Sequence, residues 1–530
     1  MRTSSFVAGS VLVLGSAASL AFAQGRGATA LYENNCMNCH GDRGQGGGAG
    51  TKSLLLDKYL GVDRQQFDMS FFKAIKEGVK DESGAGAGMV AFGETFKDEQ
   101  IWALVVHIRE MQERDRRARG GIGTLKKAVN NVFTTQHASY RVETIVEKGL
   151  NTPWAIDWLP TAKAGADGKA GPMRMLITEK SGLMRVYEYS DDDASHGKLS
   201  KPIAKIPEVF DDGQGGLMDV AVHPEYASNG WIYLSFSSPG GRGGMTIFVR
   251  GKLKQAGANY EWTDQETIWE PKAEHYLGGG LHFGSRIVFG KVIDSEDAES
   301  NGKRYMYFCL GERGRGEMSQ DLKRPNGKTF RLYDDGKVPS DNPFVNTAGA
   351  YPAMYSYGHR NPQGLVLDLD GNLWDTEHGP RGGDELNLVK PGLNYGWPRI
   401  TFGIDYSDAP LRTPWPKPEE ELTMPVWTWI PSIAACGLDV VKAGPMGEAF
   451  PQWRGDLFAG GLAGSVVERL RIRDGVVTER EEVVHGTGRV RDVVCGPDGT
   501  LFVVLNDPHR IVRLVPATKA GAKGKGTEAD

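Results

Sequence analysis

The chain has 530 residues, of which 40% are hydrophobic and 71 are glycine, and it carries a formal net charge of −5. That length exceeds what one hydrophobic core organises, so two or more domains are expected, and the glycine content favours a turn-rich β architecture. The slightly acidic balance gives no basis for bulk electrostatic binding to nucleic acid.

In chain order, the first feature is an export signal over residues 1–23. Arg2 supplies the charged start, Phe6 to Leu20 the apolar run, and Ala21-Phe22-Ala23 a small-x-small cleavage site before Gln24. The run is short and broken by Gly and Ser, unlike the ~20 apolar residues of a spanning helix. No cysteine follows it to carry a lipid anchor, and no other segment is suited to cross a bilayer. Cleavage near Ala23 implies a periplasmic or secreted protein without stable membrane insertion.

Residues 24–113 read as a small all-α domain. Helical segments are expected at Thr29 to Asn35, Phe71 to Val79 and Phe96 to Gln112, the last with Ile101, Leu104, Val105, Ile108 and Met111 on one face. The first leads into Cys36-Met37-Asn38-Cys39-His40. Two thiols at this spacing can add across the two vinyl groups of one haem, and the adjacent imidazole then ligates the iron. The sixth ligand is Met or His. Met89, in the glycine-rich loop Gly84 to Gly93, is preferred over Met69, which leads into a helix, and Met37, which lies inside the attachment turn. His107 falls mid-helix and reads as a half-exposed histidine. The arrangement resembles the class I c-type cytochromes, and that resemblance implies haem c with axial His40 and Met89.

A charged stretch from Glu113 to Gly121 opens a linker assigned to residues 114–138. Its basic residues also suit docking on an acidic face of the next domain. Beyond it, over 139–516, the period switches from helix to strand. One unit recurs: an alternating apolar strand, a Gly, Pro or Asp turn, and a second strand. It occurs at Trp154 to Thr178, Leu217 to Phe236, Arg286 to Leu310, Gly364 to Thr376, Gly437 to Gly460 and Asp492 to Leu505. Six such units predict an all-β six-bladed propeller, with Tyr140 to Ile145 pairing with Arg510 to Val515 to close the ring. A stacked sandwich is the competing fold, but long, insertion-rich units favour radial repetition. Cys309, Cys436 and Cys495 are scattered and odd in number, so they read as buried thiols, with one disulfide among them open. Residues 517–530 form a small, polar tail of disordered composition.

Polar clusters at the predicted strand edges should meet at one mouth of the propeller. They lie around Gln214, His282, Glu312, Arg360-Asn361, Gly379-Pro380, Tyr395 and Arg489-Val490-Arg491. Arg489 and Arg491 are two apart and would share one side of an extended strand, where paired guanidiniums suit a polycarboxylate.

With these motifs in order, the region from Leu150 to Pro516 resembles the PQQ-dependent soluble glucose/sorbosone (aldose sugar) dehydrogenases. The resemblance implies oxidation of a sugar or related alcohol with PQQ, a tricarboxylate ortho-quinone, and calcium. It also gives the haem a purpose, relaying electrons to an external acceptor such as a soluble cytochrome or respiratory-chain component. By this resemblance His282 is the catalytic base and Glu312 orients it. Arg360 stabilises charge on the reduced quinone, Gln214 contacts sugar and cofactor, and Asn361, Arg489, Arg491, Trp429 and Ser432 line the PQQ pocket. The Gly379 and Pro380 carbonyls are implied calcium ligands, and Glu385, Tyr395 and Asp405 a second calcium site. Two departures stand out. Glu312 replaces the family's usual Asp, and Ala463 stands where the family has a PQQ-binding Lys. Two other readings compete: a calcium-dependent propeller hydrolase or lactonase, and a non-catalytic binding propeller beside an electron-carrier cytochrome.

Overall fold

The computed structural model describes residues 27–47, 51–55, 64–80, 88–160, 171–190, 193–241, 243–292 and 300–517. The expected signal peptide, residues 84–87 of the methionine loop and the tail from residue 518 lie outside the described residues.

Six antiparallel sheets form the blades of a propeller. Their innermost strands are Pro153–Leu159, Leu217–Val222, Ile287–Lys291, Pro362–Leu367, Ala435–Val440 and Arg489–Cys495, for blades 1 to 6 in chain order. The recurring sequence unit is the inner strand pair of each blade. Blade 6 is completed by the early strand Ser139–Val146, which pairs with His509–Pro516 in the register Tyr140↔Pro516 to Val146↔Ile511. The two ends of the propeller therefore share one sheet, which leaves no unpaired blade at the seam.

Buried aspartates staple adjacent inner strands together. Asp157 accepts the Val222 amide at 2.6 Å, Asp219 the Ile287 amide at 2.8 Å, and Asp439 the Cys495 amide at 2.7 Å. Arg286 joins the blades across the axis. Its guanidinium donates to Asp219 at 3.1 Å, to the Gln363 carbonyl at 2.8 Å and to the Arg491 carbonyl at 3.0 Å, and it pairs with Asp492 at 2.9 Å. Burial opposes the charge on Arg286, but Asp492 and Asp219 raise its pKa above the usual arginine value. Beyond Arg286, the C-terminal halves of the inner strands line an open cavity of about 610 Å³.

The N-terminal domain is helical: α1 (Ala28–Asn35), α2 (Met37–His40), α3 (Arg64–Glu77) and α4 (Asp98–Ala118). The expected apolar face of α4 is buried. Trp102, Ala103 and Val106, off that face, are equally closed. The reason is the propeller, which covers the other side of α4. Trp102 meets Phe402 and Trp415 edge-on, with ring centroids 6.1 and 5.7 Å apart.

The charged stretch expected to open a linker at 114 is instead the last turn of α4. Tertiary pairing keeps it helical. Glu113 and Arg116 are buried, Arg116 pairs with Glu482 at 3.0 Å, and Arg480 pairs with Glu113 at 3.1 Å. Arg116 and Arg117 of this stretch meet a single propeller carboxylate, Glu482. Cys309, Cys436 and Cys495 are buried and form no disulfide. Among the described residues no helix is long and apolar enough to cross a membrane.

Arg286 is costly to remove, because it is buried between two aspartates. Arg286→Met leaves Asp219 and Asp492 buried without their cation, so unfolding in denaturant should show a loss of about 3–5 kcal/mol. Adding Asp219→Asn and Asp492→Asn to that variant should recover part of the loss.

Candidate active site

The site lies where the inner strands begin, at the mouth opposite the cavity. His282 sits in the loop before the blade 3 inner strand, with φ at +52° and 8% exposure. Left-handed backbone at a bulky residue is uncommon and marks an imposed position. Gln214 helps impose it, because its Oε1 accepts the His282 amide at 2.8 Å. His282 Nδ1 makes a short hydrogen bond to Glu312 Oε1. Glu312, one methylene longer than the Asp of the family pattern, thus reaches the imidazole from its own loop. Its backbone amide is held by the Arg360 carbonyl at 2.9 Å.

Burial lowers the pKa of His282. The Glu312 hydrogen bond acts the other way, and the neighbouring Arg360 charge lowers it further. The imidazole is therefore neutral at neutral pH. With Nδ1 donating to Glu312, Nε2 is the free lone pair, as a general base requires.

Arg360 follows His359 in the loop entering blade 4. Its amide donates to Glu377 at 2.5 Å, and its Nη1 donates to the His378 and Gly379 carbonyls at 3.1 and 2.8 Å. Its guanidinium lies over the Trp397 ring, 5.2 Å from the centroid. Asn361 Oδ1 accepts the Gly284 amide at 3.2 Å and so ties this loop to the His282 loop.

Arg491 lies 3.9 Å over the Trp154 ring and donates to Gln363 at 3.2 Å. Arg489 and Arg491 do not share a side as expected. Register shifts on both sides of Val490 place a bulge between them, leaving Arg489 exposed and Arg491 buried. Burial lowers the pKa of Arg491.

The loop Gly379–Gly383 folds tightly enough that a Cβ on Gly379 would meet the backbone of Gly382 and Gly383. Asp384 anchors it by accepting the Gly379 amide at 2.9 Å, the Ser432 hydroxyl at 2.6 Å and the Ala435 amide at 3.0 Å. One carboxylate thus joins the expected calcium loop to the expected pocket wall. Burial pushes Asp384 up to about 6. Trp429 donates its indole N–H to Glu468 at 2.7 Å, and Glu468 is bonded by Arg480, the same residue that holds Glu113 of α4. Ala463 is exposed on a turn whose amide donates to the Ile433 carbonyl at 2.9 Å.

The described contacts do not bring Glu385, Tyr395 and Asp405 together. Asp405 turns its carboxylate onto Ser407, two residues along. The Tyr395 hydroxyl donates to the Leu388 carbonyl at 2.6 Å, and its ring stacks on His359. Glu385 neighbours Glu377 and Asp375 instead, and burial with those charges raises its pKa well above the usual carboxylate value. The nearest approach to a metal-ligating cluster among the described residues is His359, Asp375 and Glu377, whose ligand atoms lie within 4.8 Å of one another. Burial disfavours the charge on His359, but the two carboxylates raise its pKa.

Two residues of the mouth had no assigned role in the sequence. Asp384 reads there as half of a surface acidic pair, and His378 as part of a turn. Asp384 is buried and His378 half-buried, and the pKa of His378 is lowered well below the usual value by desolvation and by Arg360, His282 and Arg491.

The mouth suits an anionic, carbonyl-rich ligand. Arg360 Nε, Asn361 Nδ2 and Arg491 Nε are all buried donors without a hydrogen-bond partner. Unpaired buried polar groups are costly and call for acceptor oxygens. The Gly379 and Pro380 carbonyls are hard donors of the kind calcium takes.

The attachment turn suits haem. The His40 amide donates to the Cys36 carbonyl at 2.9 Å, which holds both thiols and the imidazole on one turn. His40 Nδ1 is buried without a partner. Cys36, Met89 and Met69 border one apolar cluster with Leu31, Tyr32, Phe72 and Leu104. Met37 is 37% exposed, and His107 stands against Tyr32 with ring centroids 5.0 Å apart.

The fold is a six-bladed propeller with a helical N-terminal domain that carries a haem-attachment motif. Residues 150–513 match the family description Glucose / Sorbosone dehydrogenase, and the chain belongs to that family. Residues 23–108 match the description Cytochrome C oxidase, cbb3-type, subunit III. Among relatives, aldose sugar dehydrogenase YliI of Escherichia coli (strain K12) is 36% identical over 378 residues, covering 70% of this chain and 91% of that protein. The apo structure of the soluble aldose sugar dehydrogenase from Escherichia coli superposes with a TM-score of 0.58 at 34% identity, over 71% of this chain and 99% of that one. The PQQ-bound aldose sugar dehydrogenase from Streptomyces coelicolor gives 0.51 at 26% identity, over 71% and 98%.

The electrostatics of His282 can be read directly. Because its pKa is depressed, the imidazole should remain neutral as the pH falls through 6.5 and charge only below it. Nitrogen NMR of labelled histidine measures this. Glu312→Gln removes a group that favours the charged form, so it should move the titration lower still.

Proposed function

We propose that this chain is a periplasmic quinohaemoprotein. It oxidises an aldose sugar or related alcohol with PQQ and calcium, and passes the electrons through a covalently bound haem c to an external acceptor. The observation that carries this reading is the set of buried, unpaired donors at Arg360, Asn361 and Arg491 around a neutral His282. A lactonase has use for the Gly379 and Pro380 carbonyls, but none for those donors or for a haem.

PQQ, when bound, supplies the ortho-quinone that takes two electrons from the sugar, with calcium as its Lewis acid. The chain's own residues do the rest. Arg491, Arg489, Asn361, Trp429 and Ser432 hold the cofactor, and the Gly379 and Pro380 carbonyls hold calcium. Arg360 fixes a positive charge beside them, where developing negative charge is stabilised. Gln214 positions the sugar and, through the His282 amide, the base. His282 Nε2 receives the proton of the substrate hydroxyl, and Glu312 holds the ring in the tautomer that leaves Nε2 free. Cys36 and Cys39 attach the haem, with His40 and Met89 as iron ligands.

A substrate panel followed at the haem absorbance band tests the proposal. The holoprotein given PQQ and calcium should show aldose- or alcohol-dependent haem reduction that disappears without PQQ. His282→Ala should abolish it while leaving PQQ bound, and Glu312→Gln should lower the rate about 100-fold through a misplaced base. Hydrolysis of lactones without PQQ, with no haem reduction by any sugar or alcohol, would overturn the assignment.

A further inference from the structure

The loop Gly379–Gly383 is braced from outside by the cytochrome domain. A Cβ on Gly382 would meet Val106 of α4 and Ile430 at 3.6 to 3.8 Å, and one on Gly383 would meet Phe402 and Gly403 at 3.0 Å or less. Phe402 is itself covered by Trp102. The Arg381 backbone pairs in both directions with Ile404, at 3.0 and 2.9 Å.

The Arg381 side chain carries this bracing to the haem. It reaches Glu110 of α4 through Nε at 3.2 Å and Nη2 at 2.9 Å, and Asp408 through Nη1 at 2.6 Å. Asp408 in turn caps α1, the helix that leads into the haem motif. Its Oδ2 accepts the Thr29 amide at 2.8 Å and its carbonyl the Ala28 amide at 2.9 Å. The approach is close enough that a Cβ on Gly27 would strike the Asp408 carboxylate at 2.6 Å. Without this cap the first turn of α1 would leave amides unsatisfied. One guanidinium therefore connects the cofactor loop, the long cytochrome helix and the start of the haem helix.

We propose that Arg381 is a positioning residue that couples the two domains. It holds the Gly379–Gly383 loop in register only while the cytochrome is docked, so that cofactor binding and docking of the haem helix are thermodynamically linked. This rests on the reading above that the loop belongs to a PQQ and calcium pocket. A surface ion pair of ordinary kind adds little and stays local. A coupling residue behaves differently, because linkage is reciprocal. If docking strengthens cofactor binding by some factor, the cofactor strengthens docking by the same factor.

The test uses the full-length haem-loaded chain and two readouts other than turnover: PQQ affinity in calcium, by fluorescence titration, and hydrogen exchange in a peptide spanning Ala28–Asn35, by mass spectrometry. Glu110→Gln lies in the cytochrome domain, away from the donors that face the cofactor. It should nevertheless weaken PQQ binding about tenfold and speed exchange in α1. Arg381→Gln should do the same, and the double variant should be no worse than either single one. In the wild type, PQQ should slow exchange in α1, and in either variant this effect should disappear. Unchanged PQQ affinity in Glu110→Gln, with exchange in α1 indifferent to PQQ, would overturn the coupling while leaving the functional reading intact. Failure of the wild type to bind PQQ would overturn the functional reading and the linkage with it, even if Arg381→Gln still loosened α1.

Discussion

Everything at the mouth of this propeller depends on one buried cation, Arg286. Four blades contribute to its surroundings: its own, the Asp219 blade, the Gln363 blade and the Arg491–Asp492 blade. A buried charge is tolerated only when it is fully paired, so these partners have little freedom to move apart. The groups that matter chemically are its chain neighbours. His282 lies four residues before it, Asn361 two before Gln363, and Arg491 accepts its N–H. Arg286 also divides the axis, with the site on one side and an open cavity on the other. Stability and site geometry are therefore one problem here.

Much of this was legible in the sequence because it is periodic or local. Alternating strands with Asp-Gly turns give the six inner strand pairs, and closure by Tyr140 to Ile145 follows from an apolar strand left over at each end. The haem motif is legible because its chemistry needs three residues within one helical turn. The misses have a common physical cause, since each depends on a partner distant in sequence. The pairing of Arg489 with Arg491 assumes a regular strand, and the bulge at Val490 breaks it. The stretch after Glu113 reads as a linker until Arg480 and Glu482 are placed against it. Asp384 looks like a surface acid, yet it is the anchor of both the Gly379 loop and Ser432. Glu385, Tyr395 and Asp405 share no described contact, and Asp405 is bonded by Ser407 on its own turn.

The domain interface changes how the cytochrome should be regarded. Its last helix is buried on two faces, one against its own small core and one against Phe402, Ile404 and Ile430 of the propeller. Polar contacts continue inward from that helix. Glu113 meets Arg480, Arg480 meets Glu468, and Glu468 holds the Trp429 indole. Burial raises the pKa of Glu113, but Arg480 and Arg116 outweigh it and keep the carboxylate charged. The cytochrome is thus packed as part of the wall behind the site rather than tethered beside it. For the proposed relay, such packing would hold the haem-attachment helix in a fixed position relative to the mouth.

That consequence is the most direct test of the account. The anaerobic holoprotein, loaded with PQQ and calcium, is mixed with an aldose that reduces it, and the rate of haem reduction is followed over a wide range of protein concentration. A docked relay predicts a first-order rate that does not change with protein concentration. A rate rising in proportion to protein concentration would mean that electrons pass between molecules, and would contradict it.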